Sequence, residues 1–318
     1  MSKIRWGVVG TGRIADWFCS DLGSLADAEL RAVGSRDLAA AERFVQRYPS
    51  ARAYGSYEKV FADPDVDAVY VATPHSLHLA NATDALRAGK AVLCEKPLTT
   101  TPEETGQLIA VARETGGYLM EAMWTYFLPA IQTASHWVQA GRIGQMRHIK
   151  AELGYPVVYS PSQREYDAVL AGGCLLEMGI YPVALARLFS GVGPATVRAI
   201  GRRAPNGVED DVVALFDYGA ATANLTASFR CRLPNTAYVV GDEGYVVIPD
   251  AFRASECHLH RLDERIDSFQ AQRVSRGYEH QAQAMGLDLK AGLTESPIMP
   301  LALSLAFQRD IAAIRSAI

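Results

Sequence analysis

The sequence predicts an α/β Rossmann dinucleotide-binding domain followed by an α+β domain with a large, mainly antiparallel open sheet. Three observations predict this fold. A glycine-rich loop joins the first apolar strand to a helix, strands and helices then alternate up to residue 122, and later strands follow one another without intervening helices. We therefore expect domains at residues 1–122 and 123–318, with the C-terminal helix as a candidate to pack back on the first domain.

The composition is that of an ordinary globular protein. The 318 residues suit two domains, and the net charge of −4 gives no basis for nucleic acid or an anionic membrane as a partner. The five cysteines include no close pair, which argues against a disulfide framework and a thiolate metal site. No apolar run approaches the roughly 20 residues of a membrane span. A strand predicted from Ile4 leaves no room for a signal peptide, so we expect a cytoplasmic protein. From the scattered cysteines we expect no bound metal.

The glycine loop has the flanking elements that a dinucleotide site requires. Gly10 follows the strand predicted at residues 4–9, and a helical pattern begins directly after Gly12. Gly10 permits the tight turn, Gly12 lets a pyrophosphate approach the backbone, and the small Ala15 lets the helix pack closely on the strand. The alternative is a plain glycine-rich turn. The residues predicted to contact the cofactor here are Gly10, Thr11, Gly12, Arg13 and Ile14.

The end of the second strand, predicted at residues 29–34, bears on the choice of cofactor. An NAD site usually carries an acid there to hold the ribose 2′-hydroxyl, whereas this chain has Ser35 followed by Arg36. A hydroxyl and a guanidinium suit a 2′-phosphate, so NADP(H) is favoured and NAD(H) is kept as the alternative. Arg36 can also be read as a solvated surface charge, with Asp37 capping the helix predicted at residues 38–47.

A third loop follows the apolar strand at residues 68–72. The carboxyl ends of parallel strands line the ligand side of an open α/β sheet. We therefore predict that Thr73, Pro74, His75 and His78 lie near the cofactor or the substrate. Surface positions fit the two histidines equally well.

The residues Glu95-Lys96-Pro97 end an apolar strand at residues 91–94. Two charges at the carboxyl end of a buried strand are expected to face a ligand. We therefore place Glu95 and Lys96 at the cofactor, with Lys96 also facing the substrate. Pro97 removes a backbone donor and fixes the chain where the strand stops. The alternative for Lys96 is a structural ion pair with Glu95.

The second domain is predicted from closely spaced strands. A helix at residues 129–140 and an extended stretch at 146–158 precede a helix that begins at Gly172. Seven strands then follow between residues 196 and 269 without helices between them, which is typical of one large antiparallel sheet.

Two basic features of this domain have open roles. Lys150, on the extended stretch, is a candidate to add positive charge to the site. His258 and His260 alternate along a strand and so share a face, which is a spacing that metal ligands can have. With no third ligand nearby in the sequence, we interpret both histidines as surface residues.

Three groups of residues give the chain a resemblance to a known family: the glycine loop, Glu95-Lys96-Pro97, and the helix from Gly172 that carries Glu177 and Tyr181. Over its whole length the chain resembles the glucose–fructose oxidoreductase/inositol dehydrogenase (Gfo/Idh/MocA) family of NAD(P)-dependent sugar dehydrogenases. It is most similar to the branch of dimeric dihydrodiol dehydrogenases and NADP-dependent D-xylose 1-dehydrogenases. The stretches that carry this similarity are residues 53–58, 90–97, 120–125 and 294–300.

The resemblance implies an oxidoreductase that acts on CH–OH groups and transfers a hydride between NADP(H) and a sugar or a related polyol or dihydrodiol. It implies Tyr181 as general acid/base, Lys96 as its electrostatic partner and substrate anchor, and Glu177 as a carboxylate that binds a substrate hydroxyl. A phenol titrates at about 10 in water, and a neighbouring ammonium would lower that pKa. Apart from the resemblance, the pattern favours Tyr181 as a core aromatic residue with its hydroxyl at the surface.

Two departures from the branch bear on the substrate pocket. The branch usually has an aspartate where this chain has Glu177 and an arginine where it has Tyr126. Either change alters what a pocket can bind and leaves the reaction type unchanged. The candidate substrate contacts are Trp124, Tyr126 and Lys150.

Two other functions stay open at this point. The family also contains NAD-dependent glycosidases, and a catalytically silent NADP-binding sensor is the other alternative, since a fold does not fix a function. Ser35 and Arg36 weigh against tightly bound NAD. The joint presence of Lys96, Glu177 and Tyr181 weighs against a silent sensor.

The apolar residues 212–216 are too many for a sheet face exposed to water. Together with the resemblance, they predict a homodimer or a higher homo-oligomer.

Overall fold

A computed structural model describes residues 3–318 of the chain. The chain divides into two compact units. The first contains the residues up to Trp124 together with Val274–Leu305, and the second contains Thr125–Arg273 together with Ala306–Ile318.

The first unit is built on a parallel sheet of six strands. The strands are β1 (Ile4–Val9), β2 (Ala28–Gly34), β3 (Arg52–Tyr54), β4 (Ala68–Val71), β5 (Ala91–Glu95) and β6 (Leu119–Ala122). Their order in the sheet is β3-β2-β1-β4-β5-β6, and all neighbouring pairs are parallel. The strand order reverses between β1 and β4, and ligands of such sheets bind at the carboxyl ends beside that point. The predicted Rossmann domain is confirmed.

Helices connect these strands, and several begin at the residues that the sequence indicates. The helices are α1 (Arg13–Leu22), α2 (Leu38–Val45), α3 (Tyr57–Phe61), α4 (His78–Arg87) and α5 (Pro102–Thr115). The Asp37 side chain caps α2 by accepting from the Ala39 amide, as predicted, and Thr101 caps α5 by accepting from the Glu104 amide. α5 ends at Gly116, whose φ of +62° lies in the left-handed region that glycine adopts readily.

The second unit is built on an eight-stranded sheet. Its strands are β7 (Met146–Gly154), β8 (Thr196–Arg203), β9 (Glu209–Asp217), β10 (Thr222–Ser228), β11 (Ala237–Gly241), β12 (Tyr245–Ile248), β13 (Glu256–Arg261) and β14 (Glu264–Gln270). The order is β14-β13-β12-β11-β7-β10-β9-β8. Only β7 and β10 pair in parallel, so the prediction of a mainly antiparallel sheet is confirmed.

The remaining helices are α6 (Pro129–Gln139), α7 (Ile180–Ser190), α8 (Tyr278–Lys290) and α9 (Leu301–Ser316). A π-helical turn, Leu175–Gly179, precedes α7 in place of the regular helix predicted from Gly172. The turn lies close against the sheet, because a Cβ at Gly179 would stand 3.3 Å from the Cβ of Ala227. The segment Ala168–Ser190 is long and apolar enough for a membrane span, but 67% of its most apolar window is buried, as in a core helix.

Candidate active site

Two glycines shape the loop after β1, and the structure gives each a different reason to be glycine. Gly10 has a φ of +104°, and a Cβ there would lie 2.5 Å from the carbonyl oxygen of Ala72. The fold itself therefore requires glycine at this position. Gly12 has an ordinary φ of −79° and open space within 4 Å of where a Cβ would stand. Nothing in the fold prevents a side chain at Gly12, so its lack of one suits the close approach of a ligand at the N-terminus of α1.

This arrangement fits the pyrophosphate of a nicotinamide dinucleotide. Gly12 is the N-cap of α1, Arg13 is its first residue, and no side chain caps the exposed amides. Helix N-termini attract anions through these amides and the helix dipole. The predicted pyrophosphate-binding residues Gly10, Thr11, Gly12, Arg13 and Ile14 thus lie in one loop and the first turn of α1.

The loop after β2 carries the residues predicted to select the cofactor. Ser35 is buried, its amide donates to the carbonyl of Tyr54, and its hydroxyl accepts from the amide of Asp37 at 3.3 Å. Arg36 is exposed. Burial raises the pKa of Tyr57, and the positive charge of Arg36 beside its hydroxyl opposes that shift. Arg36 is therefore an accessible cation at the carboxyl end of β2, where an adenosine ribose is bound in Rossmann domains.

His78 joins the loops that follow β4 and β5. It is fully buried, with Nε2 2.8 Å from the carbonyl oxygen of Thr73 and Nδ1 2.8 Å from that of Pro97. Burial, followed by the charge of His75, lowers the pKa of His78 to about 4. His78 is thus placed to hold the two loops together, and its contact with the cofactor stays a prediction. His75 is also buried, and its ring stands edge-on to His78 with centroids 5.7 Å apart.

The turn that contains Lys96 is fixed by its neighbours in the first unit. Lys96 is 8% exposed, and the Lys96–Pro97 bond is cis. On one side, the Tyr70 hydroxyl donates to the buried carboxylate of Glu95. On the other, the Leu98 amide donates to Glu121 Oε1 at 2.9 Å. Together with the His78 contact to Pro97, these interactions tie Glu95, Pro97 and Leu98 to neighbours within this unit.

Glu121 is a buried acid behind this turn. It is 1% exposed, and burial raises its pKa to about 7, against the opposing influence of Ser304 and the Leu98 amide. The folded protein holds the Glu121 proton more tightly than the unfolded chain does, so protonation of Glu121 stabilises the fold. This contribution to the free energy of unfolding is fully present below the unfolded-state pKa of Glu121 and is lost as the pH rises towards 7.

We expect Glu121→Gln to remove this pH dependence. Glutamine keeps an acceptor for Leu98 and cannot ionise, so the variant should gain up to about 3 kcal/mol in free energy of unfolding over the wild type between pH 5 and pH 8. Urea unfolding at several pH values measures the difference. Glu103→Gln, at an exposed position on α5, should leave the pH profile unchanged. Parallel profiles for wild type and Glu121→Gln would show that folding does not raise the pKa of Glu121.

The second unit places Glu177 in the π-helical turn and Tyr181 in the first turn of α7. The two terminal guanidinium nitrogens of Arg164 donate to the two carboxylate oxygens of Glu177, at 2.8 and 3.1 Å. Tyr181 is 8% exposed, and its ring stands edge-on to Phe252 with centroids 5.8 Å apart. Such π-helical turns are frequent at functional sites. Sequence reasoning missed Arg164, because an arginine in an irregular segment carries no periodicity or spacing that would reveal it.

The predicted substrate contacts Trp124 and Tyr126 are both buried. Trp124 stacks on Tyr278 in the first unit, with ring centroids 4.5 Å apart. Tyr126 is 0% exposed, and in the second unit its hydroxyl donates to the carbonyl of Ala184 in α7 at 2.6 Å. Such burial does not support direct contact between Tyr126 and a substrate. It supports a packing role beneath the helix that carries Tyr181.

The structure argues against the suggested role of Lys150. Along β7 the side chains of Ile149, Ala151 and Leu153 are buried, whereas Lys150 and its neighbours in the alternation are partly exposed. The buried positions pair with Ala223, Leu225 and Ala227 on β10, the face against which the π-helical turn packs. Lys150 therefore points to the opposite face of the sheet, where it lies 3.5 Å from Glu152.

The two histidines on β13 have protein partners. His258 Nε2 lies 3.0 Å from the carboxylate of Glu256, and the ring of His260 stacks on Tyr245 with centroids 4.8 Å apart. Within residues 3–318, no three His, Cys, Asp or Glu side chains are grouped as metal ligands.

Both halves of the chain match models of one protein family. Residues 4–123 match the model of an oxidoreductase family with an NAD-binding Rossmann fold, and residues 131–247 match the model of the GFO/IDH/MocA C-terminal domain. The trans-1,2-dihydrobenzene-1,2-diol dehydrogenase of Mus musculus is 37% identical over 313 residues, which are 95% of this chain and 92% of that enzyme.

Two solved structures that resemble this chain are named as a ketoreductase and an aldose oxidoreductase. A 3-ketoreductase from Actinomadura kijaniata, in complex with NADP and TDP-benzene, is 30% identical, with a TM-score of 0.88 over 99% of this chain and 98% of that one. An aldose–aldose oxidoreductase from Caulobacter crescentus, complexed with glycerol, is 25% identical, with a TM-score of 0.90 over 99% of this chain and 97% of that one.

Proposed function

Because the chain belongs to the GFO/IDH/MocA family of NAD(P)-dependent oxidoreductases, we propose that it is a dehydrogenase or reductase. The proposed reaction transfers a hydride between NADP(H) and a CH–OH group of a sugar, polyol or dihydrodiol. The observation that carries the proposal is the buried Lys96 at the carboxyl end of β5, in a turn held by Tyr70, His78 and Glu121. A buried ammonium in a fixed turn suits a reaction that changes charge on an oxygen atom.

The proposal gives each residue a separate task. The cofactor supplies the hydride chemistry, and the protein must bind the substrate and move one proton. Tyr181 accepts the proton of the carbinol during oxidation and returns it during reduction. Lys96 stabilises negative charge that develops on the reacting oxygen or on Tyr181. Glu177, oriented by its two contacts with Arg164, binds another hydroxyl of the substrate.

The substrate class is supported by what the relatives act on. By their names, one oxidises a cyclic diol, one reduces a 3-keto group, and one acts on aldoses. All three activities involve a carbinol or a carbonyl group. We therefore propose that the substrate of this chain is likewise a hydroxylated small molecule, such as a sugar, a polyol or a dihydrodiol.

We expect Arg36→Ala to weaken NADP(H) binding by roughly tenfold or more and to change NAD(H) binding little, because a charge-assisted contact to the 2′-phosphate is lost. Equilibrium binding of NADPH and NADH, followed by protein fluorescence, measures both affinities. The control is Arg31→Ala, which removes an arginine within β2 that pairs with Glu29. It should leave the ratio of the NADPH and NADH affinities unchanged. An equal loss for NADPH and NADH in Arg36→Ala would refute the 2′-phosphate assignment.

The function is tested by a spectrophotometric screen. NADP⁺ and NAD⁺ are offered with D-xylose, D-glucose, other aldoses and a trans-dihydrodiol, and the reverse reaction is run with NADPH and the matching carbonyl compounds. We expect absorbance at 340 nm to change with NADP(H) and at least one substrate. No change in absorbance at 340 nm in either reaction direction would contradict the proposal. A glycoside added to the screen and cleaved without net NADPH would indicate a glycosidase, and cofactor binding without any turnover would indicate a sensor.

We also propose that the enzyme is a homodimer that buries the open face of the eight-stranded sheet. Ile200 on β8 and Val213 on β9 are directly paired on this face, 74% and 38% exposed, and Leu215 next to them on β9 is 53% exposed. Apolar side chains that adjoin one another on a sheet face favour a protein partner. Sedimentation velocity should show a dimer for the wild type and a shift towards monomer for Leu215→Glu. A monomeric wild type would contradict this.

A further inference from the structure

One face of α1 connects the glycine loop to a segment far along the chain. Arg13, Trp17 and Asp21 follow one another at intervals of four residues, so their side chains form a stripe along the helix. Arg13 is the first residue of α1, beside Gly12, and Asp21 lies in its last turn. The stripe therefore runs from the pyrophosphate end of the helix to its other end.

The residues Val274–Gly277, here called the Arg276 segment, lie along this stripe within the first unit. The amides of Gly277 and Tyr278 both donate to Asp21 Oδ2, at 2.9 and 3.0 Å. Asp21 is 4% exposed, so this attachment is a buried one. One helical turn closer to the glycine loop, the Arg276 guanidinium carbon stands 5.1 Å from the centroid of the Trp17 ring.

Arg13 approaches the same indole ring. Its guanidinium carbon stands 5.2 Å from the Trp17 centroid, so two arginines from distant parts of the sequence share one aromatic partner. A cation–π contact of this kind fixes the direction of a guanidinium while leaving its N–H donors available.

Neither guanidinium is neutralised by a carboxylate. Among residues 3–318, no acidic oxygen stands within 4 Å of Arg13 or Arg276. Asp16, on the first turn of α1, is engaged by Arg47 at 2.6 Å and by the Tyr48 hydroxyl. Asp21 accepts the two amides of the Arg276 segment, and burial raises its pKa. Two exposed positive charges thus stand beside the Trp17 ring of α1, and Arg13 directly follows Gly12, over which the space is open.

We propose that Arg276 is a second cationic ligand of the cofactor's diphosphate, which it binds together with Arg13 and the amides of α1. The Arg276 segment is tied to α1 by Asp21 and needs no rearrangement of the sheet to present its charge. The diphosphate is common to NADP(H) and NAD(H), so Arg276 contributes affinity without selecting between them. Selection is left to Arg36. The proposal depends on dinucleotide binding by this family and does not depend on which substrate is oxidised.

The test uses two ligands that divide the cofactor. ADP carries the diphosphate without a 2′-phosphate, and adenosine 2′-monophosphate carries a 2′-phosphate without the diphosphate. For Arg276→Gln we expect roughly tenfold weaker binding of ADP, NADPH and NADH, and unchanged binding of adenosine 2′-monophosphate, measured by calorimetry on the full-length protein. Arg36→Ala should give the opposite pattern, with adenosine 2′-monophosphate weakened and ADP unchanged.

Two further variants separate charge from structural damage. Arg276→Lys keeps the positive charge and should restore part of the ADP affinity. Arg87→Met removes an arginine at the C-terminus of α4, which lies at the amino edge of the parallel sheet, and should leave ADP binding unchanged. The salt dependence of ADP binding should also become shallower in Arg276→Gln. Unchanged ADP affinity in Arg276→Gln, or equal weakening of ADP and adenosine 2′-monophosphate, would overturn the proposal.

Discussion

Replacing Lys96 with methionine is expected to lower kcat by roughly a hundredfold to a thousandfold while NADPH still binds. Methionine keeps the length and much of the apolar stem of lysine and removes only the charge. The turn around it is held by Tyr70, His78 and Glu121, which are unchanged in the variant. The loss should therefore fall on stabilisation of the reacting oxygen and leave the fold and the glycine loop intact.

A matched control for Lys96→Met stands at the other end of the same strand. Lys90 precedes β5 at its amino end, and its ammonium donates to the carbonyls of Asp63 and Val66 at 2.7 and 2.8 Å. Lys90→Met should lower the melting temperature and leave kcat near the wild-type value, because these contacts are structural. Steady-state kinetics, with NADPH binding measured separately, would decide. Normal turnover in Lys96→Met would show that the proposed role of Lys96 is wrong.

Replacing Tyr181 with phenylalanine is expected to lower kcat by roughly a hundredfold to ten-thousandfold, which is the range for loss of a general acid/base. Phenylalanine keeps the ring that packs edge-on to Phe252, and only the hydroxyl is lost. Tyr126→Phe is the control, since it also removes a buried hydroxyl in the second unit, one that donates to Ala184 in the same helix α7. That control should lose about 1 kcal/mol of stability and keep its activity.

The two substitutions should also be non-additive. If Lys96 and Tyr181 serve the same proton transfer, the double variant Lys96→Met/Tyr181→Phe should lose little more than the worse single variant. Losses that simply multiply would mean that the residues act in independent steps. Full activity in Tyr181→Phe would remove it from the mechanism.

Much of the first unit was predictable because its signals are local. Gly10 and Gly12 stand between a strand and a helix, Asp37 caps the helix that is predicted after it, and β1 has the predicted bounds. The three-residue strand β3 has no such pattern. It exists because β2 offers it an edge on which to pair.

The contacts that shape the candidate site were less predictable, since they join distant segments. His78 Nδ1 lies 2.8 Å from the carbonyl oxygen of Pro97, Arg164 holds Glu177, and Arg276 stands over Trp17. None of these pairs has a characteristic spacing. Lys150 is a different case. It alternates with the apolar Ile149 and Ala151, so the period of two along a strand would have placed it on the opposite face of the sheet from the outset.

The proposed reaction is direct hydride transfer between a carbinol carbon of the substrate and NADP(H). It is tested most directly with the substrate that the spectrophotometric screen identifies, deuterated at the carbinol carbon, and NADP⁺, followed by mass spectrometry of the reduced cofactor. We predict that one deuterium per turnover appears in NADPH. Reduced cofactor that contains hydrogen from solvent, or substrate turnover that leaves no label in the cofactor, would contradict the account.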